Sequence, residues 1–329
     1  MPVKPHRRWR PFVRALLLLP ALAPAAFAQA PQAPVQGLPE AIDSRPLPLS
    51  APALNLAEAR SEGVRAGQVR FRTWAVAGSL VGAVAAYGSA KWWQDGLVGE
   101  FKTVDEGWFG TQTTSGGIDK IGHAMGGYAS TRLLANAFEA AGNPPGKARE
   151  LALWTGLGTM MGIEIVDGFS TKWRFSKEDA IANLAGGALA YWLDSSPAAD
   201  ALIDFRIQYS PSTGPAGRNR FDPFGDYSGQ RYLFVVKASG VPALQGHAWL
   251  RYLEFGVGYG ARNFEPTSRT QLTPTRNVYY GVSVNLAEFL RGTVWAGASS
   301  RSLTQRATET FLEYVQIPAL AVQGDHTLR

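Results

Sequence analysis

The chain has 329 residues, no cysteine, and 32 basic against 26 acidic residues, which gives a formal net charge of +6 at neutral pH. The missing cysteine excludes thiol nucleophiles, cysteine-ligated metals and a lipid anchor on a cysteine of this chain. Five of the 32 basic residues and none of the acids lie in residues 1–28, so the rest of the chain carries 27 against 26 charges, or +1. This near balance argues against nucleic-acid binding, which needs a basic patch on the folded domain.

The N-terminus predicts a secretory signal peptide over residues 1–28. Basic residues crowd the first fourteen positions, the apolar stretch ALLLLPALAPAAF follows, and small residues precede a cleavage site after Ala28. A retained membrane anchor is disfavoured because the apolar stretch is short and interrupted by prolines. Residues 29–54, rich in Pro, Ala and Gln, predict an extended linker. We therefore expect an exported protein, either periplasmic or membrane-associated in the cell envelope.

A helical unit is predicted over residues 55–196. Its charge-free segment 74–90 is short and rich in Ala and Gly, which favours a buried or interfacial helix over a membrane-spanning one. Ser176 is expected to cap the last helix of the unit. Three helices follow the charge-free segment: 119–141, 146–166 and 177–193. Small residues within them predict close helix–helix contacts: Gly126, Gly127, Gly158, Gly162, Gly186 and Gly187.

Residues 197–329 are predicted to form a small antiparallel sheet with a C-terminal helix, because the hydrophobic period changes to two. The alternation is clearest in NVYYGVSVN, at 277–285. The helix is expected over 302–315, and the polar tail ending in HTLR is expected to lie outside the strands. Four strands are predicted: 205–209, 230–237, 249–260 and 277–285. The predicted fold class is α+β, with a bundle of about four helices followed by the sheet.

Three pairs of polar residues lie at helical spacing within otherwise apolar helices. The pairs are Asp119 with His123, Glu164 with Asp167, and Asp179 with Asn183. Residues three or four positions apart share one face of a helix. Because a charge on an apolar face is costly unless it is paired or hydrogen-bonded, the three faces are predicted to meet in one polar centre.

Two functional interpretations of this centre follow. Asp167 and Asp179 with His123 would hold a divalent metal, as carboxylates do on facing helices of a bundle. Alternatively, His123 would act as a general base or nucleophile with Asp119 and Glu164 as its catalytic partners. The cofactor is therefore unknown, with a divalent metal as the candidate, and the question of enzymatic activity stays open.

Three further residues are candidate binding groups. Arg174 precedes the last helix as a potential anion contact, and Lys120 and Asn183 accompany the acids and the histidine. A purely structural alternative also stays open. In that alternative the polar residues form a buried network that fixes the register of the helices, without ligand or substrate.

The segments DKIGHAMGGY and GIEIVDGFSTKWRFSKEDAIANLAGG resemble the VanZ-like pattern. That pattern has an Asp-Lys-x-x-His helix, a later helix with a Glu, and an Arg-x-Ser-x-x-Asp turn into D-x-x-x-N-x-x-G. Its later positions correspond here to Arg174, Ser176, Asp179, Asn183 and Gly186. With the predicted signal peptide and strand region, the chain more closely resembles the YfiM-like family of uncharacterised periplasmic proteins. The resemblance covers about 119–193.

The resemblance implies that these polar residues belong to one site, although neither family implies an established reaction. VanZ-like proteins are integral membrane proteins linked to glycopeptide-antibiotic resistance, and the helices of this chain are less hydrophobic. YfiM-like proteins include lipoproteins, whereas this chain has no cysteine.

The predicted function is that of an exported, membrane-associated cell-envelope protein of unknown role. Its expected partner is a membrane surface or another envelope component, and nucleic acid is not expected. The alternative is a metal-dependent hydrolase or transferase that acts on lipid or peptidoglycan precursors. A small outer-membrane β-structure is a third alternative, disfavoured because only about four strands are predicted.

Overall fold

The computed structural model describes residues 51–212, 221–264, 272–318 and 321–328. The predicted signal peptide and the linker up to residue 50 lie outside these residues. The described part of the chain confirms the α+β prediction, with helices followed by an antiparallel sheet.

The first helix, α1, spans Ala51–Lys91 as one continuous element of 41 residues. It contains the charge-free segment 74–90, in which Gly88 is the one buried residue. The buried alternative is therefore wrong for this segment, because a single face of α1 is packed, and the interfacial alternative stays a prediction. No helix among the described residues is both long enough and apolar enough to cross a bilayer. The packed face contains Val76, Ala77 and Leu80, which contact a small core around Leu134 and Phe138.

Three helices follow the predicted bounds to within two residues. They are α2 (Ile118–Ala140), α3 (Pro145–Gly168) and α4 (Lys177–Ser195). Ser176 caps α4 as predicted, since its Oγ accepts the Asp179 N–H at 3.2 Å. Two short parallel strands, β1 (Thr103–Val104) and β2 (Phe175–Ser176), pair just before α4. This pairing brings the loop that precedes α2 next to the start of α4.

Glycines let the backbones of α2 and α4 touch. A Cβ on Gly186 would overlap the Ala124 carbonyl, and one on Gly127 would overlap the Asn183 carbonyl. Both contacts agree with the predicted close packing, and they hold the polar faces of the two helices together. The same prediction is wrong for Gly158 and Gly162, beside which a Cβ would meet no atom within 4 Å.

A five-stranded antiparallel sheet follows, in the order β3-β4-β5-β6-β7. Four short helices accompany it: α5 (Pro197–Leu202), α6 (Pro242–Gln245), α7 (Leu286–Gly292) and α8 (Leu303–Tyr314). The strands are β3 (Ile203–Tyr209), β4 (Gln230–Lys237), β5 (Leu253–Arg262), β6 (Thr275–Val284) and β7 (Ala321–Leu328).

The last strand corrects one expectation. The sequence predicts that the polar tail lies outside the strands, but β7 pairs with β6 along its whole length, with His326 opposite Val278. Strand β7 lies at the edge of the sheet, where polar side chains are tolerated on a strand whose pairing comes from backbone hydrogen bonds. The fold therefore ends in a strand that follows the predicted helix.

The helical unit and the sheet share one hydrophobic core. Tyr128 of α2 packs edge-on against Phe205 of β3, with ring centroids 5.5 Å apart, and Tyr232 of β4 joins the same cluster. A Cβ added to Gly122 would lie 3.1 Å from the Tyr232 hydroxyl. The sheet therefore covers the N-terminal half of α2, which carries the candidate site residues.

Candidate functional site

Polar side chains of α2, α3 and α4 meet beside the loop that precedes α2, and we call this group the acid–histidine cluster. Helices α2, α3 and α4 each contribute at least two of its side chains, and the loop contributes Glu106. The cluster consists of Glu106, Asp119, Lys120, His123, Glu164, Asp167, Asp179 and Asn183.

Three helices each direct one potential metal ligand to a common point. One ligand atom from each of His123, Glu164 and Asp179 lies within 4.8 Å of the other two. His123 Nδ1 is 3.2 Å from Glu164 Oε1, and His123 Nε2 is 3.8 Å from Asp179 Oδ2. Glu164 is 1% exposed, and its carboxylate also accepts the backbone N–H of Ser176. An imidazole and two carboxylates form a mixed nitrogen and oxygen ligand set.

A second set of carboxylates surrounds Lys120, which is 1% exposed. The Lys120 Nζ lies 2.9 Å from Asp119 Oδ2 and 2.9 Å from Asp179 Oδ1, and it also bonds to the Glu106 carboxylate. Ligand atoms of these three acids also lie within 4.8 Å of one another. Asp179 thus offers one oxygen to each set. The sequence analysis does not predict Glu106 as a member of the site. The signal for it is Lys120, because a lysine on an apolar helix face needs carboxylate partners nearby.

The buried polar atoms of the cluster have few hydrogen-bond partners among the described residues. Asp119 Oδ1 has none, whereas Glu164 Oε1 lies 3.2 Å from His123 Nδ1 and the Asn183 amide bonds to His123. Asn183 is 1% exposed and adjoins His123 from one turn beyond Asp179 on α4. Because buried polar groups are nearly always hydrogen-bonded, Asp119 Oδ1 and the polar atoms around His123 are where a ligand or an ordered water would bind.

Burial changes the pKa values of Glu164, Asp119 and His123 in the direction that favours their neutral forms. Burial, together with the charges of Asp179 and Asp167, raises the pKa of Glu164 to about 8. Burial also raises the pKa of Asp119 to about 6, against the opposing effect of Lys120. Burial lowers the pKa of His123, which leaves its imidazole neutral and able to coordinate a metal.

The ammonium group of Lys120 behaves differently. Burial alone would lower the pKa of Lys120, but the carboxylates of Asp119 and Asp179 outweigh that effect and raise it. Lys120 therefore remains charged and provides the positive charge within its own set of carboxylates.

Two predicted site residues lie away from both ligand sets. The Asp167 carboxylate accepts a hydrogen bond from Trp93 Nε1 at 2.6 Å, and burial raises its pKa to about 6. Arg174 is exposed, and its Nη1 lies 3.5 Å from the Trp173 carbonyl oxygen. The other predicted residues belong to the two ligand sets or contact a member of them: Asp119, Lys120, His123, Glu164, Asp179 and Asn183.

A second buried group, the Arg132 cluster, offers a comparison. Arg132 of α2 lies 2.9 Å from Asp194, 2.5 Å from Asp200 and 2.7 Å from Glu313, and it also donates to the Tyr128 hydroxyl at 2.7 Å. The three carboxylates come from α4, α5 and α8, and Tyr128 comes from α2 itself. The Arg132 cluster thus connects the helical unit to the C-terminal unit through a cation with several hydrogen-bonded partners.

Residues 105–195 match a protein family described as a predicted periplasmic lipoprotein family, DUF2279. The matched region contains every residue of the acid–histidine cluster. The match supports an uncharacterised periplasmic family and an exported, envelope-associated location for the chain. No curated protein and no solved structure matches the chain significantly.

Proposed function

We propose that this envelope protein binds one divalent cation between α2, α3 and α4, through His123, Glu164 and Asp179. The observation that carries the proposal is the convergence of three ligand atoms, one from each helix, within 4.8 Å. The buried amide of Asn183 supports it, because the amide bonds to His123 and such a bond orients an imidazole ligand.

The charge of the acid–histidine cluster favours a cation over a purely structural network. The cluster contains five carboxyl groups and one ammonium group, and burial raises the pKa values of three of those acids. A divalent ion would supply the missing positive charge. The Arg132 cluster illustrates the structural alternative, since its guanidinium is paired with three carboxylates.

The ligand types favour a transition metal over magnesium or calcium. Imidazole nitrogen is a common ligand of zinc, whereas magnesium and calcium are bound almost entirely by oxygen atoms. Zinc also accepts carboxylate oxygens, and three protein ligands leave a position for water or another group. We therefore use Zn²⁺ as the probe in the experiments below.

The test is a calorimetric titration of the exported chain, stripped of metal, with Zn²⁺. We expect one equivalent to bind, and His123→Ala to weaken its affinity by about 100-fold or more. The matched control is His247→Ala, which changes an exposed histidine outside the cluster. A wild-type chain that binds no Zn²⁺, or equal losses in both variants, would contradict the proposal.

Metal-dependent hydrolysis or group transfer on lipid or peptidoglycan precursors is the second candidate function. The observation in its favour is that His123 keeps 24% of its side-chain surface exposed, so the cluster is accessible from one side. Asp119, with a pKa of about 6, would act as the acid–base group. Phosphate release from a synthetic lipid diphosphate would test it. Turnover must require Zn²⁺ and disappear in His123→Ala, and no turnover by the Zn²⁺-loaded wild type would exclude this substrate.

We also propose that the helical unit lies against a membrane surface through α4. The outer face of α4 carries Ile181, Leu184, Ala188 and Trp192, all exposed and without a charge among them. An uncharged helix face with a tryptophan is typical of the interface of a bilayer. Trp154 of α3 is also 72% exposed.

A further inference from the structure

The acid–histidine cluster has two sets of potential ligands, arranged as in a two-cation centre. One set is His123, Glu164 and Asp179, and the other is Glu106, Asp119 and Asp179. In such centres a carboxylate bridges two ions that lie close together. Asp179 occupies the bridging position, with Oδ2 towards His123 and Oδ1 at 2.9 Å from the Lys120 Nζ. Lys120 therefore lies where the second ion of such a centre would bind.

We infer that the Lys120 ammonium permanently fills the second of two cation positions and thereby makes the centre mononuclear. This inference rests on the proposed binding of one cation at His123, Glu164 and Asp179. The ammonium contacts each carboxylate of the second set, Glu106, Asp119 and Asp179. Asp119 Oδ1, which is buried and has no hydrogen-bond partner among the described residues, is available as a further ligand atom.

The shared carboxylate gives Lys120 a second role as a positioning residue. By holding Oδ1 of Asp179, the ammonium group leaves Oδ2 directed towards His123 and the first cation position. A second divalent ion is excluded as long as the lysine is present, because both would compete for the same oxygen atoms. The centre would then be expected to use single-ion chemistry, without a second metal to hold an attacking or leaving oxygen.

The test compares the stoichiometry of Zn²⁺ binding in wild type and Lys120→Met. Wild type is expected to bind one equivalent and Lys120→Met two, because the methionine removes the ammonium and leaves three carboxylates free. Lys120→Arg, which keeps the charge, should still bind one equivalent. The double variant Asp119→Asn/Lys120→Met should lose most of the affinity of the second equivalent. One equivalent in Lys120→Met would overturn the inference, whereas no binding by wild type would overturn the proposed function itself.

Lys120→Met is expected to need Zn²⁺ during refolding, since three buried carboxylates would otherwise lack a counter-ion. Glu106→Gln provides an independent check, because it alters the second set and leaves the lysine in place. Glu106→Gln should bind one equivalent with an affinity within about threefold of wild type. Loss of that equivalent would place the cation in the Lys120 set and overturn the inference.

Discussion

At the scale of single residues, the buried Glu164 carboxyl group lowers the stability of the fold. Its side chain lies near the carboxyl groups of Asp167 and Asp179, where an uncharged residue would be more stable. Buried groups that destabilise a fold are common at functional sites, where their chemistry is needed. Stability measurements can therefore detect this cost without any knowledge of the ligand.

Glu164→Gln is expected to stabilise the metal-free protein, and more so as the pH rises. The folded pKa of Glu164, about 8, lies above its ordinary value of 4.5, so ionisation penalises the folded state progressively between these two values. At pH 5 the two proteins should melt at similar temperatures. At pH 8.5 the variant should be more stable by about 2 kcal/mol, which is roughly 4–8 °C in Tm.

The matched control for this comparison is Glu150→Gln, which changes an exposed glutamate on the same helix. Calorimetric scans in the presence of a chelator should show no pH-dependent difference between this control and wild type. A Glu164→Gln variant that is less stable than wild type at pH 8.5 would show that the charged carboxylate is well paired in the apo protein.

Asn183 gives a second prediction at this scale. Asn183→Asp adds a negative charge beside His123, to which the buried amide bonds. We expect Zn²⁺ to bind about tenfold more tightly and the metal-free protein to melt at a lower temperature. Competition against a fluorescent chelator measures the affinity. Asn183→Leu, which removes the amide without adding charge, should give no gain; a gain there, or none with Asp, would contradict this role.

At the scale of the elements, the contact between α2 and α4 positions the site. Gly127 and Gly186 let the two backbones touch, and one turn from this contact His123 faces Asp179. Helix α3 then adds Glu164 from the other side. Separation of α2 and α4 by even one methyl group would pull the ligand atoms apart, so the packing of small residues and the chemistry of the site are linked.

Gly186→Ala is therefore expected to damage both stability and cation binding. Its Cβ would overlap the Ala124 carbonyl, which is backbone and cannot rotate away. We expect a loss of about 3 kcal/mol and at least tenfold weaker Zn²⁺ binding. Gly162→Ala is the matched control, because its Cβ would meet no atom within 4 Å and alanine favours the helix. Thermal melts and titrations of the pair test the claim, and equal behaviour of the two variants would refute it.

The sequence predicts these elements well where local signals are strong. Ser176 caps α4, and the polar pairs at i, i+3 and i, i+4 lie on α2, α3 and α4. Glu106 was missed because it lies in a loop and reaches Lys120 through the tertiary pairing of β1 with β2. Strand β7 was missed because a polar edge strand has no hydrophobic alternation of its own. Glycine spacing predicts that some helix faces approach closely but does not identify which, as Gly162 shows.

At the scale of the whole molecule, the acid–histidine cluster and the exposed face of α4 suggest two separate roles. The cluster lies between helices that the sheet partly covers, whereas Ile181, Leu184 and Trp192 are each about half exposed. The residues that we propose to bind the ion and those that we propose to contact the membrane therefore lie on different faces of α4. Variants of one face should leave the function of the other intact.

The double variant Ile181→Glu/Trp192→Glu is expected to lose binding to phospholipid vesicles and to keep one equivalent of Zn²⁺. Two charges on the uncharged face of α4 would oppose its insertion at the interface. Co-sedimentation with vesicles of neutral and anionic phospholipid measures the first property. Phe221→Glu, at an aromatic residue that is 80% exposed outside α4, is the control and should bind like wild type. Wild type that stays in solution would contradict membrane association.

The most direct test of the central claim is a crystal structure of the Zn²⁺-loaded chain, with diffraction data collected on both sides of the zinc absorption edge. The anomalous difference map should show one peak between α2, α3 and α4, at about 2.0–2.2 Å from ligand atoms of His123, Glu164 and Asp179. The Lys120 ammonium should remain within hydrogen-bonding distance of Asp119 and Asp179. A peak on other residues, or no peak in crystals of the folded chain, would contradict the account.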